Sequence, residues 1–171
     1  VSLASDTKYF SDHLTISPDG KLSATADTQD VCLWDMQTGA LVRTLSSPGD
    51  RLNGVAFSPD GRTICSGGAH CTIYVWDVAT GVLRNSRKAH GGSIETVAWS
   101  PTGEIMTAAV DRSIRYWNPV KGELLRSVTL PTSVRPRLFS ADTSLLLASS
   151  DNKIHLFDTQ TGAESILDVK I

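Results

Sequence analysis

Short runs of alternating apolar and polar residues, separated by turn residues, recur along the whole chain. The run LNGVAFS (52–58) alternates, the turn phrase SPDG follows, and TIYVWD (72–77) is rich in β-branched and aromatic side chains. Period-two alternation places one face of a strand on a core, and proline and glycine supply the backbone angles of turns. Sustained helical periodicity is missing from every segment. The pattern predicts an all-β chain.

Three landmarks recur in phase, at a step of about forty residues. The aromatic anchors, separated by 42, 41 and 40 residues, are Trp34, Trp76, Trp117 and Phe157. The same step separates the turn phrases ISPDG, FSPDG, WSPTG and FSADT, and the glycines Gly39, Gly81, Gly122 and Gly162. Self-similarity at a fixed period is typical of a repeat architecture, in which each unit buries its faces against its neighbours.

Each repeat divides into four short strands joined by turns. The four repeats are predicted at about 8–46, 50–88, 90–129 and 133–168, within a chain of 171 residues that has the size of one domain. A single four-stranded sheet cannot hide both of its faces, whereas sheets stacked around an axis bury them against one another. The sequence therefore favours a β-propeller.

The repeated phrases resemble the WD-repeat (WD40) β-propeller family over nearly the whole chain. The resemblance rests on the Trp-Asp pairs at 34–35 and 76–77, the Ser-Pro-Asp-Gly turns and the repeat length. It implies four recognisable four-stranded blades that form part of a larger ring of seven or eight. Further blades outside this stretch, a second copy of the chain or another protein could each complete that ring.

The resemblance also implies a buried hydrogen-bonded tetrad in a well-kept repeat. The third repeat supplies it as His90, Thr107, Asp111 and Trp117. A buried carboxylate needs partners, and an imidazole, a hydroxyl and an indole N–H form a chain that satisfies it. A role in stabilising the fold, rather than in catalysis, is expected for these four residues.

The other repeats keep the tetrad only in part. In the second repeat, Pro48 stands at the histidine position and His70 at the aspartate position. In the fourth, Asp151 is kept, while Leu147 and Phe157 replace the hydroxyl and the tryptophan. A buried polar network that lacks some of its hydrogen bonds is less stable than an apolar core. A repeat that has lost one tetrad residue is therefore expected to have lost others as well.

Local signatures of catalysis or metal binding are not found. The chain has no Gly-x-Ser-x-Gly elbow, no phosphate-binding glycine loop and no His-Glu-x-x-His motif. Cys65, His70, Cys71 and His90 lack the tight spacing of a zinc site, so buried thiols and a turn histidine are the simpler interpretation. We expect no enzyme activity, no catalytic residue, no metal and no cofactor.

Composition narrows the classes of partner and compartment. The net charge of −2 gives no basic excess for nucleic acid, and no apolar run approaches the ~20 residues that span a bilayer. Three cysteines are an odd and sparse set, and no Asn-x-Ser/Thr acceptor site is present. These features predict a protein of a reducing intracellular compartment, cytoplasmic or nuclear, without membrane insertion or nucleic-acid binding.

Partners in the WD-repeat family often dock on one face of the ring, on residues at the start of each first strand. When the four repeats are aligned, these positions lie seven and five residues before the serine that begins each turn phrase. They are Phe10 and Asp12, Arg51 and Asn53, Ser93 and Glu95, and Ser133 and Arg135. Arginine and aromatic side chains are common hot spots of protein interfaces. The predicted function is a non-catalytic scaffold that binds a protein or peptide. The alternative is the regulatory or substrate-recognition propeller of an enzyme or multisubunit complex.

Overall fold

Four antiparallel sheets of four strands each make up the structure, a computed structural model that describes residues 13–26, 29–150 and 153–168. The first two sheets comprise β1 His13–Ile16, β2 Leu22–Ala26, β3 Asp30–Asp35, β4 Leu41–Ser46, β5 Leu52–Phe57, β6 Thr63–Gly68, β7 Thr72–Asp77 and β8 Leu83–Lys88. The other two comprise β9 Ile94–Trp99, β10 Ile105–Ala109, β11 Ser113–Trp117, β12 Leu124–Thr129, β13 Arg135–Phe139, β14 Leu145–Ser150, β15 Lys153–Asp158 and β16 Glu164–Asp168. The described residues form no helix, and therefore no helix that is long and apolar enough to cross a bilayer.

Each sheet is a meander whose strand order follows the sequence. The first strands of successive sheets lie side by side, β1 next to β5, β5 next to β9, and β9 next to β13. This leaves the fourth strand of every sheet at the outer edge. The prediction of an all-β chain with four four-stranded propeller blades is confirmed.

Three apolar clusters hold the sheets together, one at each junction. The aromatic anchors of the second, third and fourth repeats are buried and share a cluster with residues of the preceding sheet. The pairs of cluster members are Leu33 with Trp76, Cys65 with Trp117, and Ala108 with Phe157. Burying a large aromatic side chain contributes about 1.5–3 kcal/mol, which explains why a bulky ring recurs once per repeat.

The residue after each aromatic anchor builds the turn between the third and fourth strands. Asp77 Oδ1 accepts hydrogen bonds from the backbone N–H of Thr80 (2.7 Å) and from its hydroxyl (2.8 Å). Gly81, at φ 75°, adopts the left-handed conformation that closes the turn. These bonds, led by the one from the Thr80 backbone, favour the charged carboxylate and lower the pKa of Asp77 to about 2. Asn118 makes the same turn by accepting from the backbone N–H of Lys121 (2.9 Å).

One face of the fourth sheet differs in burial from its counterparts. In the third sheet, Met106 and Tyr116 face the fourth sheet and are each 1% exposed. The strand registers place Leu147 and Leu156 at the equivalent positions of the fourth sheet, where both are only partly buried. Leu138, paired with Leu147, is 53% exposed. We call these three leucines the outer face of the fourth sheet.

Candidate partner-binding face and the polar networks beneath it

The structure brings together the four residues assigned to the tetrad of the third repeat. His90 Nε2 lies 2.6 Å from Thr107 Oγ1, and Trp117 Nε1 donates to the same oxygen at 2.9 Å. His90 Nδ1 lies 3.1 Å from Asp111 Oδ2, which also accepts from the Gly91 backbone N–H at 2.9 Å. The network joins the loop before β9 to β10, β11 and the turn between them.

Burial fixes the protonation state of this network. It lowers the pKa of His90 to about 4, against the opposing attraction of the Asp111 carboxylate, so the ring is neutral at pH 7. Burial alone would raise the pKa of Asp111, but hydrogen bonds led by Ser113 and Gly91 hold it below the usual value. Because the Asp111 carboxylate only accepts, the His90 proton resides on Nδ1 and Nε2 accepts from the Thr107 hydroxyl.

The second repeat carries a different network, which the sequence analysis missed. The Asp50 carboxylate is fully buried and accepts from the His70 backbone N–H at 2.9 Å and from the Tyr74 hydroxyl at 3.3 Å. Burial, followed by the charge of Asp50, raises the pKa of Tyr74. Ser66, aligned to Thr107, instead donates its hydroxyl to the Gly54 carbonyl at 2.6 Å.

The fourth repeat has a third arrangement. Ser150 Oγ lies 2.8 Å from His155 Nε2, and His155 Nδ1 lies 2.5 Å from Glu164 Oε1. Thr132 donates to that carboxylate at 3.1 Å, which links the preceding loop to the outermost strand. Since His155 is buried and none of these residues belongs to the tetrad pattern, the chain stabilises this repeat with its own residue set.

The assignment of Leu147 to the hydroxyl position is wrong. In the third sheet, the tetrad threonine lies two residues beyond the partner of Trp117, which is Ile105. In the fourth sheet, the partner of Phe157 is Leu146, so the hydroxyl position belongs to Ala148. The turn before β10 is one residue shorter than the others, which shifted the alignment. Asp151, the other tetrad residue assigned here, lies outside the described residues.

The predicted binding positions lie together at one end of the first strands. We call them the candidate face, and its described members are Arg51, Asn53, Ser93, Glu95, Ser133 and Arg135. Arg51, Ser133 and Arg135 are exposed, and the other three are partly buried. Phe10 and Asp12, the remaining two predicted positions, lie outside the described residues.

Side-chain contacts across the candidate face bridge three blades. Asn53 Nδ2 of the second blade donates to Ser93 Oγ and to the Ile94 carbonyl of the third, both at 3.0 Å. Glu95 of the third blade pairs with Arg135 of the fourth, with 2.9 Å between Oε2 and Nε. The Arg135 side chain remains 62% exposed, so it stays accessible to a partner.

The cysteines and histidines do not assemble into a metal site within the described part of the chain. Cys65 is fully buried, and burial raises the pKa of its thiol far above the usual value. The sulfur of Cys71 lies 3.9 Å from the Ala69 carbonyl oxygen. These contacts are those of packed thiols.

A comparison with known protein families finds a match for these repeated sheets. The family described as "WD domain, G-beta repeat" (WD40) matches residues 39–77, 81–118 and 126–158, which is more than half of the chain. The chain belongs to the WD40 family. Each matched segment of this WD40 chain begins near the outer strand of one sheet and ends with the third strand of the next. The family prediction from the Trp-Asp repeats is confirmed.

The relatives share the fold at low sequence identity. COMPASS component SWD3 of Saccharomyces cerevisiae is 24% identical over 151 residues, covering 86% of this chain and 48% of that protein. Hydrazine synthase of Kuenenia stuttgartiensis superposes with a TM-score of 0.79 at 19% identity, covering 98% of this chain and 52% of its own. U3-55K gives a TM-score of 0.77 at 16% identity, covering 96% and 53%. The WD40 chain therefore spans about half the length of each.

Proposed function

We propose that this WD40 chain is a non-catalytic scaffold that binds a protein or peptide segment on the candidate face. The observation that carries the proposal is the pairing of Asn53 with Ser93 and of Glu95 with Arg135 across three blades. Side chains that are already fixed lose less conformational entropy on binding. The net charge of −2 favours a protein over nucleic acid as the partner.

Arg51 and Arg135 are the proposed anchors of this face. Both are exposed: Arg51 directly precedes β5, and Arg135, the partner of Glu95, is the first residue of β13. A guanidinium offers several N–H donors in a fixed plane, which suits the carboxylates and carbonyls of a bound segment. Truncating such a hot-spot residue costs 1–2 kcal/mol or more of binding free energy.

Removing both anchors is expected to reduce binding of the partner at least tenfold. The immobilised chain and its Arg51→Ala/Arg135→Ala variant are compared by quantitative mass spectrometry of the proteins they retain from cell extract. Both substitutions are at exposed positions, so the melting temperature should change little.

A matched control removes two exposed cations at the opposite end of the blades, Lys21 and Lys121. Partners retained by this control and lost by Arg51→Ala/Arg135→Ala support the candidate face. Partners that respond equally to both pairs, or only to the control, contradict it.

The outer face of the fourth sheet supports a second part of the proposal, that further blades of the same fold complete a ring. Each of the three described junctions buries the positions that Leu147 and Leu156 occupy here. The solved structures that match are about twice as long as this chain. A contiguous apolar patch that is left partly open to solvent is typical of a protein interface.

The isolated 171-residue chain should therefore associate at micromolar concentration and bind a hydrophobic dye. Native mass spectrometry across a dilution series, with Leu156→Lys as the variant that suppresses association, measures this. A clean monomer that binds no dye at any concentration contradicts the proposal. A dilution-resistant dimer would identify a second copy, rather than further blades, as the occupant.

The similarity to a COMPASS component favours one setting for this scaffold, that of a recognition subunit in a multiprotein complex. The proposed compartment is intracellular, as the sparse cysteines suggest. In such a complex the candidate face would position a partner for an activity that another subunit supplies.

A further inference from the structure

A groove crosses the end of the blades opposite to the candidate face. It encloses about 1220 Å³ and is lined by turns of the second and third blades and by the outer strand of the first. Its lining includes the side chains of Val42, Pro59, Val78, Trp99 and Val120. This volume exceeds the 300–1,000 Å³ typical of a small-molecule pocket and suits several residues of a peptide.

The apolar part of the groove is open to solvent and includes one aromatic ring that a hydrogen bond holds in place. Trp99 donates its indole N–H to the Ala56 carbonyl at 3.1 Å, which fixes the orientation of its ring. Val120 stands at the tip of a turn with 87% of its surface exposed, and Val42 is 50% exposed. A rigid aromatic ring and exposed branched side chains offer a binding surface that needs little reorganisation.

The acidic residues of the groove are already engaged in their own turns. Asp60 accepts from the Ser58 hydroxyl at 2.6 Å and from the Arg62 backbone N–H at 3.0 Å. Asp77 holds the next turn and pairs with Arg84. Hydrogen bonds, led by the one from Ser58, lower the pKa of Asp60 as well. Both carboxylates are charged at pH 7 and serve the fold.

Three arginines and two aspartates line the groove, which leaves one positive charge in excess. Arg43 donates to the carbonyls of Ala79 and Thr80, and Arg84 pairs with Asp77. By contrast, the exposed Arg62 guanidinium makes no hydrogen bond or ion pair within the described part of the chain, and its charge acts on Asp60 only by helping to lower the pKa of that carboxyl. A ligand that places a carboxylate beside apolar groups would therefore complement the positive charge of Arg62 in the groove.

We infer that this groove is a second docking site, which takes an extended segment of a partner protein with apolar side chains next to a carboxylate. The apolar side chains lie against Trp99, Val42 and Val120, and the carboxylate pairs with Arg62. The site is separate from the candidate face, so one chain binds two segments at its two ends.

The test selects binders without assuming a partner. A phage library of random twelve-residue peptides is panned on the chain, and enriched peptides are resynthesised with a fluorescent label and titrated by anisotropy. Peptides of the groove should carry Asp or Glu beside apolar residues. Their affinity should fall at least tenfold in Val120→Asp and in Arg62→Glu, two substitutions at exposed positions that leave the core intact.

Two matched controls lie at the opposite end, Val110→Asp at an exposed valine and Arg51→Glu on the candidate face. Unchanged affinity in both controls, with loss in the groove variants, supports the second site. No enrichment, enriched peptides without acidic residues, or peptides that bind the groove variants as well as wild type would overturn it. Peptides that respond only to Arg51→Glu would support the candidate face and contradict the groove.

Discussion

Replacing Thr107 by valine is expected to lower the free energy of unfolding by about 2–3 kcal/mol. The Thr107 side chain is fully buried, and its oxygen accepts from Trp117 Nε1 at 2.9 Å and lies 2.6 Å from His90 Nε2. Valine keeps the shape but leaves two buried nitrogens unpaired, and each unpaired group costs about 1–3 kcal/mol. Urea unfolding followed by tryptophan fluorescence measures the change.

A matched control for this result is Thr44→Val. Thr44 is exposed on β4, where the same chemical change should alter stability by no more than about 0.5 kcal/mol. If Thr107→Val were as stable as Thr44→Val, the network would not stabilise the third blade. A change in the urea dependence of the free energy would instead indicate that the unfolding transition is no longer two-state.

Replacing Gly67 by alanine is the second large effect expected, a loss of about 1–3 kcal/mol from overpacking. Gly67 lies on β6, which packs against β9 of the third sheet. A Cβ atom at this position would lie 2.4 Å from Ile94 Cγ2 and 2.9 Å from Val97 Cγ1. Ile94 is fully buried and β-branched, so it has little freedom to move away. Differential scanning calorimetry should show a lower melting temperature.

Gly91→Ala is the control, because the nearest atom to a Cβ there would be 3.8 Å away. Gly91 precedes β9 and has an exposed position, so the new methyl group makes only ordinary van der Waals contact. An equal melting temperature for the two variants would show that the junction between the second and third sheets yields without cost.

The fold could be predicted because its determinants are local. The alternation in LNGVAFS, the Ser-Pro-Asp-Gly turns and the Asp or Asn that follows each aromatic anchor act within a few residues of one another. Asp77 shows this most directly, since the bonds that close its turn reach no further than Val82. Repetition of these local signals in phase was enough to indicate four sheets.

The network of Asp50 could not be predicted for the opposite reason. In the sequence, Pro48 and Gly49 before it suggest an exposed turn, whereas its carboxylate is buried through contacts twenty residues away or more. The space it fills exists because Gly68 lacks a side chain, and a Cβ there would lie 2.0 Å from Asp50 Oδ2. The adjacent glycines at 67 and 68 were the available signal, but only the packing of the sheets gives it meaning.

The residues of the candidate face were predicted by aligning the repeats. The structure adds the contacts between these residues, which an alignment does not specify. Glu95 and Arg135 are forty residues apart, and nothing in either repeat specifies that they meet. Their pairing depends on how the third and fourth sheets lie against each other. The same holds for Asn53 and Ser93 at the preceding junction. The role of these residues in binding stays a prediction.

Every sheet is built from consecutive strands, and this has a consequence for synthesis in the cell. No sheet of the described chain waits for a strand from a distant part of the sequence. At about 5–20 residues per second, a ribosome delivers the forty or so residues of one blade in roughly 2–8 s. β-Hairpins form in about 1–10 μs, so each blade can pair its strands long before the next one emerges. The apolar face that the newest blade has not yet buried against a following blade is then the surface that a chaperone would shield during translation.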